Sequence, residues 1–355
     1  MSKIAQVADV HARGKDLPAL RAQLAAMVIE CNDRGVDLLC VAGDIFDNSA
    51  IQDAHASTGA IAQAVIAELY KLEPKILMIP GNHDAAGAGS ADALHVFSDD
   101  YMGEVVREPS WRVFDFGLAV FCVPWDWSGA PFPPLLEMKT FPDAQKRLLL
   151  AHVQVVGSVM NGGHVCPDTP GRGKFQVRRE YLAGSGFDHF ALGDFHKRQD
   201  LTGGRGGYVG ALRQCNFGEE GNPAGFEIWD TETNVTEWIE LDAAPRHKTF
   251  ILAPGETKPP PPPEGWLHKV RLTGSQPDLV LAGDLERDGH TVDVVPDLIE
   301  REARAVVPPN VMNDPAALMA LWAETNEIGG DRLSRMLDVW DGLGGDENES
   351  GEVAL

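Results

Sequence analysis

Paired cysteines, long apolar runs and positive charge are all scarce in this sequence. Its five cysteines, Cys31, Cys40, Cys122, Cys166 and Cys215, are odd in number and have no CxxC spacing. That argues against a disulfide framework and against a thiolate-type structural zinc site. Most of them sit in apolar runs such as DLLCVAGD and AVFCVP and read as buried free thiols, which predicts a reducing, cytoplasmic setting. No stretch reaches the roughly 20 apolar residues that a membrane helix needs. The start, MSKIAQVADVH, enters a strand without a basic region and an apolar segment after it, so neither export nor membrane anchoring is expected. Lys and Arg number 30 against 53 Asp and Glu, a net charge of −23. Such a chain cannot coat nucleic acid by bulk attraction, which requires many phosphates to be neutralised. No internal repeat is visible.

What is present is a chain of 355 residues, 44% hydrophobic, long enough for a large core with a smaller domain attached. Strand-like runs KIAQVAD, DLLCVAGD, KILMIPGN, LAVFCVP, RLLLAHV and FDHFALGD alternate early on with helical patterns over 17–33 and 51–71, an α/β layered signature. In the first helix Leu17, Leu20, Leu24, Met27, Val28 and Cys31 recur at helical spacing, with Pro18 in the first turn. After Gly203 the runs YVGAL, GFEIWD and VTEWIEL predict an antiparallel continuation of a sheet. The catalytic domain is therefore expected over 1–244. The stiff KPPPPPEG run precedes a small β-α-β unit, giving a second domain over 245–307. Amphipathic helices are expected within 308–343, and a disordered acidic tail over 344–355.

Five short motifs each follow an expected strand: Asp9-Val10-His11, Gly43-Asp44-Ile45-Phe46-Asp47, Gly81-Asn82-His83-Asp84, Ala151-His152 and Gly193-Asp194-Phe195-His196. Strand ends converge at one edge of an α/β sheet, and glycine lets the backbone turn sharply there. Asp, His and Asn side chains from five strands can thus meet in one crevice. Two hydrolytic metals need about eight ligands, one of them a carboxylate shared by both ions. Asp44 is the natural bridge. Carboxylate, imidazole and amide oxygen suit Mn, Fe or Zn. A histidine beside a metal-bound amide, His83 paired with Asp84, can be held protonated and aimed at a scissile phosphodiester. His55, His95, His164, His189, His247, His268 and His290 have no such partner spacing and read as structural or solvated.

This set resembles the calcineurin-like metallophosphoesterases, and within them the nuclease subunit of bacterial SbcC/SbcD complexes, counterpart of the Mre eleven nuclease. GDIFDNS, YVGALRQCNFGEE and the stretch from HKTFILAP to VDVVP are similar to that group's second motif, tyrosine-glycine strand and capping domain. The resemblance implies a four-layer α/β/β/α sandwich, two mixed sheets flanked by helices, with a small α+β cap. It implies two divalent ions, Mn foremost with Mg, Fe or Zn as alternatives. One would be held by Asp9, His11, Asp44 and His196, and the other by Asp44, Asn82, His152 and Asp194; His83 would be the catalytic acid or leaving-group stabiliser. The group usually has histidine at position 194. The strand before Asp194, with His196 two residues on, predicts that alternation aims both side chains inward.

The activity so implied is a DNA exonuclease or endonuclease acting with an SMC-family ATPase in repair, recombination or replication, with homodimerisation an option. Between Arg172 and Arg213 lies the basic island of this acidic chain. Arg172, Lys174, Arg178, Arg179, Lys197, Arg198, Arg205 and Arg213 are the expected DNA contacts, against a reading of the run as an ordinary solvated face. Two other functions compete: a stand-alone metallophosphatase or cyclic-nucleotide phosphodiesterase, since the scaffold does not fix substrate, and a noncatalytic assembly subunit with a weakened fifth motif.

Overall fold

The computed structural model describes residues 2–51, 55–85, 92–97, 103–128, 132–133, 141–160, 163–168, 175–243, 245–273 and 279–295. Two compact units divide the chain, one of Met1–Thr273 with Pro277–Val295 and one of Gly274–Gln276 with Pro296–Leu355. The second unit, including the helices expected within 308–343 and the acidic tail, lies outside the described residues.

Five consecutive apolar residues in LLCVA, buried throughout, make a strand that must be covered on both faces. This is β2 (Leu38–Ala42), and it lies parallel between β1 (Lys3–Val7) and β3 (Lys75–Ile79). With β4 (Glu104–Val105), β13 (Gly225–Asp230) and β14 (Val235–Glu240) these form a six-stranded sheet of order β14-β13-β1-β2-β3-β4. Its outer face carries α1 (Leu17–Asp33) and α2 (Thr58–Leu69). Leu20, Leu24, Met27, Val28 and Cys31 of α1 pack there with Ile61 and Val65 of α2.

The second six-stranded sheet has the order β11-β12-β10-β7-β6-β5. Its strands are β5 (Ser110–Phe114), β6 (Leu118–Val123), β7 (Lys146–His152), β10 (His189–Gly193), β11 (Gln199–Asp200) and β12 (Gly206–Tyr208). Ile4, Leu38, Cys40 and Leu77 of the first sheet meet Leu118, Val120, Leu148 and Leu150 of the second in one fully buried layer. On the outer face of the second sheet, Phe121, Phe187, Phe190 and Leu192 pack with Leu182 of the short α3 (Arg179–Gly184). The pair β8 (Gln154–Val156) and β9 (Gln176–Arg178) lies on that side too, through Val155 and Val177. The expected layered α/β fold with two mixed sheets is thus present.

One detail differs from expectation. Of the YVGAL run only Tyr208 lies in a strand, β12, which pairs parallel to β10, while GFEIWD and VTEWIEL leave this sheet and pair antiparallel beside β1. Alternation and turn residues mark a strand but not its partner.

A third sheet follows, in which β15 (Arg246–Leu252), β16 (Trp266–Leu272) and β17 (Thr291–Val294) run parallel, with α4 (Leu279–Arg287) before β17. It has its own small core of Leu252, Val270, Leu272 and Leu285. All five cysteines are buried. No helix among the described residues is long and apolar enough to cross a membrane.

Candidate metal centre

Parallel strands end on the same side, so β1, β2 and β3 of one sheet and β7 and β10 of the other deliver their C-terminal residues to one edge. The turns there are unusually tight. Asp9, His11, Asp44 and Asp194 all hold positive φ, at 51°, 46°, 54° and 106°, a region that costs a non-glycine residue of order 1–3 kcal/mol. Backbone bonds Asp9 N→Gly43 O at 3.1 Å and His11 N→Asp44 O at 3.0 Å lace the first two turns together. Gly43 has φ 88°, and a Cβ on it would overlap the His152 ring. Gly81 and Gly193 are equally constrained, by Asp44 in the first case and by the Ala42 carbonyl with His152 in the second.

Each imidazole at this edge is fixed through Nδ1. His152 donates to Ala42 O at 2.7 Å, crossing between the sheets. His11 Nδ1 faces Asp47 Oδ1 at 3.1 Å, and His196 Nδ1 faces Glu219 Oε1 at 2.8 Å. All three rings therefore turn Nε2 inward. His11 Nε2 and His196 Nε2 come within 3.0 Å of each other. Two neutral rings held as Nδ1–H tautomers would oppose lone pair to lone pair there, so that contact calls for a proton or a cation between them. Asp44 Oδ2 lies 3.7 Å from His11 Nε2 and 3.5 Å from His152 Nε2, while its Oδ1 accepts from His83 N at 2.8 Å. Asn82 Oδ1 lies 2.8 Å from His152 Nε2.

Two buried carboxylate oxygens, Asp9 Oδ2 and Asp194 Oδ2, have no hydrogen-bond partner among the described residues. Burying a charged oxygen without a partner is costly, and both belong to this edge. Asp194 N donates to Asp9 Oδ1 at 3.2 Å, and Asp194 Oδ1 lies 3.8 Å from His152 Nε2. Of the four sets of candidate ligand atoms within 4.8 Å among the described residues, two share Asp9: Asp9 with His11 and His196, and Asp9 with Asp44 and His152. The orphaned oxygens, the opposed imidazoles and the mixed O/N donor set all fit divalent ions.

The electrostatics agree. Burial works against a charged His152, yet Asp44, Asp9 and Asp194 raise it to about 9. His196 is raised to about 9 as well, burial being outweighed by the hydrogen bond to Glu219 and by Asp9 and Asp44. Burial first, then Asp9 and Asp44, lift Asp194 to about 6 against the pull of His152. The carboxylates make this edge a site of negative potential, which favours a cation.

Several expectations need correcting. His83 does not pair with Asp84. The exposed His83 ring sets Nδ1 against Asp47 O at 3.0 Å. Asp84 is fully buried and accepts from Phe46 N at 2.9 Å, Gly81 N at 3.0 Å and Ile45 N at 3.4 Å. It fastens the second and third motif loops to each other, and burial, with Asp44 nearby, pushes it up to about 7.

The basic island is largely spent internally. Arg213 is 2% exposed and donates to Val10 O, His11 O and Asp16 Oδ2, so it secures the first motif loop instead of meeting DNA. Arg205 donates to Phe187 O and Ala183 O, Arg179 to Leu201 O, and Arg198 pairs with Glu227. Arg178 pairs with Asp168 at the surface, Lys197 is exposed, and Arg172 and Lys174 lie outside the described residues.

Sequence reasoning misses the partners behind the ligands. Asp47 looks like no more than a helix cap, and Glu219 passes as an ordinary member of NFGEE. In each case the carboxylate lies 36 or 23 residues from its histidine, with no local spacing to betray the pairing.

Residues 2–153 match the family model described as calcineurin-like phosphoesterase. That match spans β1 to β7 and four of the five motifs. No curated protein matches the chain. Similar solved structures include a novel archaeal phosphodiesterase at 15% identity and TM-score 0.33, covering 68% of this chain and 100% of that one. A protein of Thermus thermophilus is similar at 15% identity and TM-score 0.37, covering 67% and 98%. A hypothetical protein of Pyrococcus horikoshii follows at 16% and 0.35, covering 68% and 88%.

Proposed function

We propose that this chain is a metal-dependent DNA nuclease that hydrolyses phosphodiester bonds at a dinuclear centre, an SbcD-like subunit that works with an SMC-family ATPase. The observation that carries this reading is the meeting of Asp9, His11, Asp44, Asn82, His152, Asp194 and His196 at one strand-end edge with the exposed His83 beside them. Asp9, His11, Asp44 and His196 would hold one divalent ion, and Asp44, Asn82, His152 and Asp194 the other. Bound there, such ions supply charge neutralisation at a phosphate and make a water more acidic.

The protein's own part is positioning and proton supply. Asp44 is held by His83 N–H on one oxygen, which leaves the other oxygen to face His11 and His152. His83, anchored by Nδ1 donating to Asp47 O and standing edge-on to His11 with centroids 4.7 Å apart, keeps Nε2 for the departing oxygen. As an imidazolium it can deliver that proton, a contribution of about 10² to 10⁴ in rate. The third sheet, β15 to β17, is an addition that a small-phosphate enzyme does not need, and it supports a polymeric substrate. The SMC-family partner would engage the helices expected within 308–343.

One observation favours a second reading, a stand-alone phosphodiesterase acting on small substrates: Arg198, Arg205 and Arg213 are committed to internal partners. One assay separates the two. Protein loaded with Mn should cleave both linear duplex DNA and bis(p-nitrophenyl) phosphate, and His83→Ala should lose about 10²- to 10⁴-fold in rate while retaining its metal. Cleavage of the small diester with DNA left intact would move the chain to the second reading. Loaded protein that cleaves neither would overturn both.

A further inference from the structure

Glu219 is 1% exposed, an expensive place for a carboxylate unless its oxygens are engaged. They are. It closes a single 3₁₀ turn, Phe217–Glu219, that begins after Asn216, whose Oδ1 accepts from Gly218 N at 2.8 Å. Glu219 Oε2 accepts from Cys215 N at 2.8 Å, and Oε1 accepts from Asn216 Nδ2 at 2.7 Å and from His196 Nδ1 at 2.8 Å. The contact with His196 and Cys215 brings its carboxylate into a further cluster behind the metal centre.

The turn is also pinned from outside. Glu220 accepts from Lys248 Nζ and Thr249 N, both at 2.7 Å, and Gln214 Oε1 accepts from His247 N at 2.8 Å. Phe217 packs edge-on against the His247 ring at 4.7 Å and lies under Lys269 Nζ at 4.8 Å. A buried carboxylate on a turn clamped at both ends is a rigid acceptor, and a rigid acceptor selects one tautomer and one ring orientation. The second position differs, because His152 Nδ1 is served by a neutral carbonyl, Ala42 O.

We propose that Glu219 is a positioning residue which holds His196 as the Nδ1–H tautomer, directs its Nε2 at the Asp9/His11/His196 position and makes that position bind a divalent ion more tightly. This rests on the metal-centre reading above. A carboxylate behind a ligating imidazole raises the basicity of the coordinating nitrogen, and its loss typically weakens metal binding about 10- to 100-fold.

The test is a titration of full-length, metal-stripped protein with Mn alone, followed by calorimetry, for wild type, Glu219→Ala, His196→Ala and the double variant. Metal-free thermal unfolding is recorded for each. Wild type should bind two ions. Glu219→Ala should weaken one of them about 10- to 100-fold and leave the other unchanged, and it should add no further loss in the His196→Ala background. Should Glu219→Ala fail to fold, Glu219→Gln takes its place in the same cycle with the same expectations. Two ions bound with wild-type affinity, or an equal loss with and without His196, would overturn the proposal while leaving the metal centre intact. A wild type that binds no Mn would overturn the metal centre itself.

Discussion

Single residues here are readable by what they cost. His189 is 1% exposed, neither ring nitrogen has a hydrogen-bond partner among the described residues, and the ring stacks on Trp229 at 4.6 Å and 9°. Burial drives it down to about 3 despite Asp200. The folded state therefore refuses a proton that the unfolded chain accepts below about 6.5. The stability that neutral His189 contributes is complete above that pH and drains as pH falls toward 3, by at most about 1.4 kcal/mol per pH unit. His189→Phe should flatten the decline of the urea midpoint between pH 7 and pH 4; an unchanged slope would show that His189 does not titrate on unfolding. Asp194 reads differently. Its positive φ removes it from strand alternation, so the period-two argument that aimed it together with His196 fails as geometry. The two residues reach opposite sides of the centre, Asp194 near His152 and His196 near His11.

At the scale of elements, the centre is made by turns that only glycine permits. Gly43 combines φ 88° with a Cβ position already filled by the His152 ring. Gly43→Ala should cost about 1–3 kcal/mol through overpacking, seen as a lower unfolding midpoint of the metal-free protein, and should loosen metal binding through His152. A variant of wild-type stability would contradict the packing described here. The glycines preceding Asp44, Asn82 and Asp194 were legible in the sequence because each follows an apolar run that can only be a strand. The helix over 17–33 was legible in the same way, from one apolar stripe and a proline in its first turn. The pairing of β13 and β14 beside β1 was not, since nothing local distinguishes one sheet edge from another. Nor were Asp47 and Glu219 as imidazole partners, or Arg213 as a buried clamp on Val10 and His11. Those roles arise only when distant segments return to the same edge.

For the whole molecule, the two sheets matter because each alone holds half a site. The first supplies Asp9, His11, Asp44, Asn82 and His83, the second His152, Asp194 and His196, and the buried layer between them fixes the spacing. Formal charge of −23 adds a field that draws cations to this edge and resists a polyanion elsewhere on the surface. Any DNA contact must then lean on the ions and on exposed cations such as Lys197 and Arg178, the latter already paired with Asp168. Strand ends from both sheets are proposed to build one centre for two ions around Asp44. The decisive measurement is metal content per chain, by mass spectrometry after dialysis against Mn and gel filtration. Wild type should retain two ions and Asp44→Ala, folded by circular dichroism, should lose most of both. Two ions retained by Asp44→Ala, or none by wild type, would contradict it.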